Sequence, residues 1–286
     1  MSFLNSFRSF LRDAPWHLWT SQLAGVLSIE LRKNLLRRRS VWLYIVAFFP
    51  VFVVLAHALY RVGHPCYIDG DTLMMATIFQ GVYLRGSLFF GCMGLFIWLF
   101  RGEIVEKSLH YYFLSPIRRE VLVVGKFLAG LVTSAVFFGS SVLLSFLITY
   151  GHIGAEGRAF MFSRLGMGHL LAYVGTTVLA CIGYGALFLA LSLVAKNPVL
   201  PGIAVLLWEA FHPVFPAMLQ RLSITFYLKQ LCPVDVLPEG LMRLFTVVAE
   251  PVSAWIAVPG LLTLAMAVLV LACFRIRSME ISYLAD

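Results

Sequence analysis

The chain has 286 residues, 60% of them hydrophobic and only 13% charged, with a mean hydropathy of +0.89; this excludes an ordinary soluble domain and places the chain in a bilayer. Its formal charge of +8 sits beside apolar stretches, as the basic bias of cytosolic loops requires, and argues against nucleic acid as a partner. Five cysteines are scattered without a CxxC pair. Cys92, Cys181 and Cys273 fall in apolar stretches, where Cys is a small hydrophobe, and Cys66 and Cys232 are the two open to a disulfide.

Residues 1–12 put Phe3, Phe7, Phe10 and Leu11 on one helical stripe with Arg8 and Arg12 off it, the pattern of a helix lying in the membrane surface. No apolar h-region or small-residue cleavage site marks a signal peptide. Asp13 and Pro15 restart the helix, and Trp16, Trp19, Leu23, Val26 and Leu27 recur at helical spacing before Glu30, Arg32, Lys33 and Arg37 to Arg39. Residues 1–40 therefore form an interfacial unit at the cytosolic face, since Trp favours the headgroup level.

Six weakly charged stretches follow, at 41–60, 80–100, 127–150, 168–195, 198–218 and 252–274, each near the ~20 residues a membrane helix needs. The fold class is thus an all-α membrane protein with six transmembrane helices behind an amphipathic interfacial helix. The N-terminal part, the 101–126 corner, Lys196 and the tail after Cys273 carry fifteen Lys and Arg; the other three connections carry six, with Arg85 left inside a span. That bias places both termini in the cytosol.

Between the second and third spans, residues 101–126 form the longest strongly charged corner. Glu103 and Lys107 stand four apart in the order that supports a helix, with Ile104, Val105 and Leu109 as an apolar side. Ser115 and Pro116 read as an N-cap and first-turn proline, so one short helix ends near Phe113 and the next starts at once. The fourth and fifth spans, joined by Lys196, Asn197 and Pro198, form an antiparallel hairpin. His212-Pro213 and Phe215-Pro216 kink or end the fifth. Leu241, Leu244, Phe245 and Val248 make a short amphipathic stripe on the outer side, within an outer hairpin at 219–251.

Arg85 in the second span and Glu209 in the fifth, with His212 one turn on, are ionisable groups placed where a bilayer makes them expensive, and so are candidate pathway residues. Counted from Arg101 and Lys196, Arg85 and Glu209 differ in depth by about 4 to 5 Å at ~1.5 Å per residue, a gap an Arg side chain can bridge. The histidines lack HxxxH or HxxE spacing, which gives no metal site. No GxSxG or paired intramembrane carboxylates occur, and Gly125-Lys126 lacks the glycine and hydroxyl of a P-loop. The chain therefore reads as no enzyme; a membrane-embedded enzyme acting on lipid or peptide, or a non-transporting scaffold, are the readings of other classes.

Gly102-Glu103, a helical dozen residues, Ser115-Pro116-Ile117-Arg118-Arg119 and Gly125-Lys126 entering an apolar span resemble the loop after the second membrane helix of type 2 ATP-binding-cassette (ABC) permeases. Where many members carry a Gly-Thr pair, this chain has Lys107-Ser108. The resemblance implies a permease domain over 41–286 that acts as a dimer of identical chains in a bacterial inner membrane and exports its cargo. It also implies that ATP and Mg are bound by two separate ABC ATPase subunits, with no cofactor in this chain. Residues 101–126 would be the coupling segment, with Glu103, Glu106, Lys107, Arg118 and Arg119 at the docking contact and Ser115 and Pro116 keeping the corner rigid. The second and fifth helices would line the pathway, where Arg85 and Glu209 are expected to pair or to face a polar substrate.

Overall fold

A computed structural model describes residues 16–36, 40–61, 67–236 and 252–278, and all regular structure among them is helical. The stripe at Phe3 to Leu11, Cys66 and the stripe at Leu241 to Val248 lie outside the described residues. Helix α1 spans Trp16–Leu36, and the expected restart at Asp13 and Pro15 lies outside the described residues. Val26 and Glu30 are buried on it, in line with partly buried Leu23 and Lys33, at the three-to-four spacing that forms one helical face. Helix α2 (Val41–Tyr60) buries Leu43, Ala47, Val51, Val54 and Ala58, with Pro50 inside it.

The next helix runs unbroken from Ile68 to Val105: α3 (Ile68–Ile78), a π-helical stretch Phe79–Leu88, and α4 (Phe89–Val105). It begins twelve residues before the expected 80 because Asp69 and Asp71 occupy its first turn, where acidic side chains suit the helix dipole. After the short α5 (Leu109–Leu114) comes α6 (Arg119–Gly151), then α7 (Ala155–Met161) and α8 (Arg164–Val194). Ser163 caps α8, its Oγ accepting from Gly166 N at 3.1 Å. Then follow α9 (Val199–Phe211), a 3-10 turn at His212–Val214, α10 (Ala217–Gln220), α11 (Ile224–Gln230) and α12 (Ala254–Arg277).

Among the described residues, five helices are long and apolar enough to cross a membrane: Val41–Tyr60, Ile68–Val105, Arg119–Gly151, Arg164–Val194 and Ala254–Arg277. The stretch expected as the fifth of six spans is shorter. Helix α9 has 13 residues, about 20 Å at ~1.5 Å per residue against a ~30 Å hydrocarbon core. Pro213 and Pro216, which cannot donate to the preceding turn, end it as their positions predict.

Helices α6 and α8 form the centre, packed against each other and against α4 and α12; α1 and α2 lie along α6. Aromatic rings fill the middle: Phe89 of α4 meets Tyr184 and Phe188 of α8 edge to face, at 5.4 and 5.2 Å between centroids. Buried hydroxyls line α6, and Tyr83 Oη lies 2.8 Å from both Ser141 Oγ and Ser145 Oγ. Such small and hydroxyl-bearing residues let membrane helices approach closely and hydrogen-bond across the contact.

Candidate functional site

The 101–126 corner is built on a buried cluster of four charges. Lys126, fully buried near the start of α6, puts Nζ 2.7 Å from Glu30 Oε1 and 2.9 Å from Glu103 Oε1, and donates to Leu99 O at 2.9 Å. All three ammonium donors are thereby used. Lys33 Nζ stands 2.9 Å from Glu103 Oε1, 3.4 Å from Glu30 Oε1 and 3.0 Å from Tyr112 Oη. Tyr112 Oη in turn donates to Glu30 Oε1 at 3.1 Å. Two lysines against two glutamates make the cluster neutral, which is what allows charge to be buried at all.

The protonation of its members follows from these contacts. Burial pushes the Glu30 carboxyl up, but the charge and hydrogen bond of Lys126 outweigh it and hold Glu30 below the usual carboxylate range. Burial works against the Lys33 ammonium, yet the bond to Tyr112 and the two carboxylates raise its pKa above the ordinary lysine value. Burial pushes the Tyr112 phenol up to about 12, so it stays a donor.

The cluster ties four elements together: α1 through Glu30 and Lys33, α4 through Glu103, α5 through Tyr112 and α6 through Lys126. Helix α1 comes this close because Gly125 has no side chain; a Cβ there would stand 2.8 Å from Val26 Cγ1. At the surface Gln22 Nε2 donates to Pro116 O at 2.8 Å, and the Arg118 guanidinium lies 4.6 Å from the Trp19 ring centroid. Arg119 donates to Ile276 O and Arg277 O at 3.3 and 3.0 Å, while Arg277 pairs with Glu120. Arg101 donates to Lys196 O. The corner, the α8–α9 turn, α1 and the end of α12 are therefore on one side of the bundle, as their shared basic bias predicts.

The structure corrects two local expectations. Glu103 does not pair with Lys107; it turns inward to Lys33 and Lys126 and is 6% exposed. Ser115 is the extended C-cap of α5 and spends its hydroxyl on Tyr112 O at 2.7 Å, so α6 starts only after Arg118. Lys107 adopts φ 55°, the left-handed region that glycine occupies without steric cost. What the corner presents outward is Glu106, Lys107, Pro116 and Arg118, together with Tyr111 and Leu114, the latter 81% exposed. The two apolar side chains were missed because a charged loop was read for its charges. Lys126 was readable as a lone cation entering an apolar span.

Of the three intramembrane candidates, Glu209 and His212 lie together. Glu209 is buried, and its carboxylate accepts from Ser223 Oγ at 2.6 Å, Ile224 N at 3.0 Å and Thr225 N at 2.9 Å. It therefore caps the start of α11, where orphan N–H groups favour a negative charge. His212 is buried with Nδ1 2.7 Å from Glu209 O. Arg85 is exposed on the π-helical stretch, and among the described residues no ion pair joins it to Glu209. Of the two cysteines open to a disulfide, Cys232 lies beside α11, its Sγ 3.5 Å from Leu228 O.

No curated protein matches the chain. The family model described as ABC-2 family transporter protein matches residues 26–209, which holds α1 from Val26, the whole corner and all of the buried cluster. With several apolar helices of spanning length and a match over well more than half of its length, the chain belongs to the ABC-2 transporter family and is a multi-pass membrane permease.

Proposed function

We propose that this permease is an exporter subunit whose 101–126 corner receives a separate ABC ATPase, two copies of the chain enclosing the pathway and two ATPases driving it. The observation that carries the reading is the division of the corner into two faces. Its inner face is clamped to α1, α4 and α6 by the Glu30, Lys33, Glu103 and Lys126 cluster. Its outer face offers Tyr111, Leu114 and Pro116 as apolar knobs ringed by Glu106, Lys107 and Arg118, the composition of an interface anchor with a charged rim. A push on the outer face is transmitted as rigid-body movement because the inner face cannot yield without uncovering buried charge.

On this reading Arg118 and Glu106 contribute rim charge, Glu103 serves the clamp, and Ser115 and Pro116 hold the bend. Six crossings with both termini cytosolic fit the charge bias, α9 with its 3-10 extension serving as a short fifth. Helix α9 buries only Gly202 and Glu209, which leaves a face for the second copy. The export direction and the bacterial inner membrane rest on the family resemblance alone.

The test is affinity purification of the tagged full chain followed by ATPase assay. A stoichiometric P-loop protein is expected in the wild type, and Leu114→Asp should abolish its retention while leaving the permease folded. Recovery of the chain without a nucleotide-hydrolysing partner, or full retention in L114D, overturns the reading.

A further inference from the structure

Two contacts set the outer half of the helix Ile68–Val105 against α11. Gln80 Nε2 donates to Val234 O, just past the end of α11, at 2.9 Å. Further along the same helix Phe89 packs edge to face on Tyr184, whose Oη lies 2.9 Å from Thr225 Oγ1. Residue numbers rise on one element as they fall on the other, so the two contacts bracket Arg85 and Lys229 at one level. Their charges act on each other there. The stretch that carries Arg85 is π-helical, a geometry frequent at functional sites.

Both cations lack an acceptor. Arg85 is exposed and Lys229 partly buried, and among the described residues neither makes a hydrogen bond or an ion pair. Burial and the Arg85 guanidinium push the Lys229 ammonium down to about 8. The Glu209 carboxylate also acts on Lys229, but its oxygens already accept from Ser223, Ile224 and Thr225. Two cations held at one level repel each other, and an oxyanion between them turns that repulsion into attraction. Arg85 stands sixteen residues from Arg101, about 24 Å at ~1.5 Å per residue, in the outer part of a ~30 Å hydrocarbon core. From that depth a long arginine side chain reaches the outer headgroup layer.

We infer that Arg85 and Lys229 together bind a phosphate group at the outer side of the bundle. The planar guanidinium offers two parallel N–H donors to the phosphate oxygens, and the ammonium adds a point charge. The phosphate reaches the pair on an anionic lipid headgroup or as free phosphate. A headgroup that carries its own cation, such as choline, brings no net charge to the pair and binds less well. The bound group ties the π-helical stretch to α11. This inference concerns binding by the permease alone and does not depend on the ATPase reading.

The experiment is native mass spectrometry of the delipidated full chain in detergent, in two arms. One offers equimolar phosphatidylglycerol and phosphatidylcholine with identical acyl chains; the other offers inorganic phosphate without lipid. Wild type is expected to retain the glycerol lipid about tenfold over the choline lipid, the scale of a charge-assisted hydrogen bond. The double variant Arg85→Gln with Lys229→Gln should bring that ratio to about one. Arg85→Gln alone, at an exposed position with no bond to lose, should lower it about threefold and keeps the test readable if the double variant does not fold. Preference for the glycerol lipid that these changes remove assigns the site to a lipid headgroup. Inorganic phosphate binding that they remove, without a lipid preference, assigns it to free phosphate. Absence of both in wild type, or wild-type values in the folded variants, overturns the inference.

Discussion

Lys126 Nζ lies 2.7 Å from Glu30 Oε1 across 96 residues of chain, and this one contact fixes the interfacial helix to the first buried turns of α6. The ammonium is wholly buried, so its stability rests on Glu30 and Glu103 together. Lys126→Met is expected to destabilise the protein by about 3–5 kcal/mol, because it leaves two buried carboxylates with one cation. Thermal unfolding in detergent measures the loss. Combining it with Glu30→Met should cost less than the sum of the two singles, since the second change removes the charge the first left unpaired.

The cluster also sets how stability depends on pH. Glu30 has a folded pKa below its ordinary value of 4.5, so its contribution is present above that value and lost as pH falls through the folded pKa. Lys33 has a folded pKa above its ordinary 10.5, so its contribution is full below that and lost as pH rises through the folded one. Melting temperature should therefore contain no step from these groups between about pH 6 and 9 and fall at both extremes. A cluster-dependent step inside that window, present in wild type and absent in Lys126→Met, would contradict the assignment.

Lys107 holds φ 55° in the turn between α4 and α5. Replacing it by Gly removes the steric conflict of a side chain in that region and is expected to stabilise the turn by about 1 kcal/mol. Lys107→Val should destabilise it, a β-branched residue being worst placed there. Unfolding midpoints of the two variants, moving in opposite directions, check the prediction.

Glu209 serves three donors at the start of α11. Glu209→Ala leaves Ser223 and the Ile224 and Thr225 amides without an acceptor and should cost about 3 kcal/mol or more, at ~1–3 kcal/mol for each buried unsatisfied group. Arg85 takes no part in this cap, so a double-mutant cycle of Arg85→Gln with Glu209→Gln should be additive within about 0.5 kcal/mol in stability.

The cluster and cap predictions rest on contacts between elements, and that separates what could be read from what could not. Apolar stretches of membrane length, the basic side of the bundle and the end of α9 at its prolines were legible because hydropathy, helical period and proline chemistry act within a few residues. The charged corner was legible for the same reason, with its bend misplaced by three residues because Ser115 has two possible hydrogen-bond partners and only packing chooses between them.

The sequence by itself determined that this is a helical membrane chain with a stiff charged corner and a basic face. Tertiary structure alone decided that Glu103 looks inward, that Lys126 is its counter-ion with Glu30 and Lys33, that Glu209 caps a helix, and that Tyr111 and Leu114 project outward. The physical reason is that helical period tells which residues share a face but not what that face meets. Lys33 meets Glu103 70 residues away and Lys126 meets Glu30 96 residues away, and a buried charge is defined by such partners.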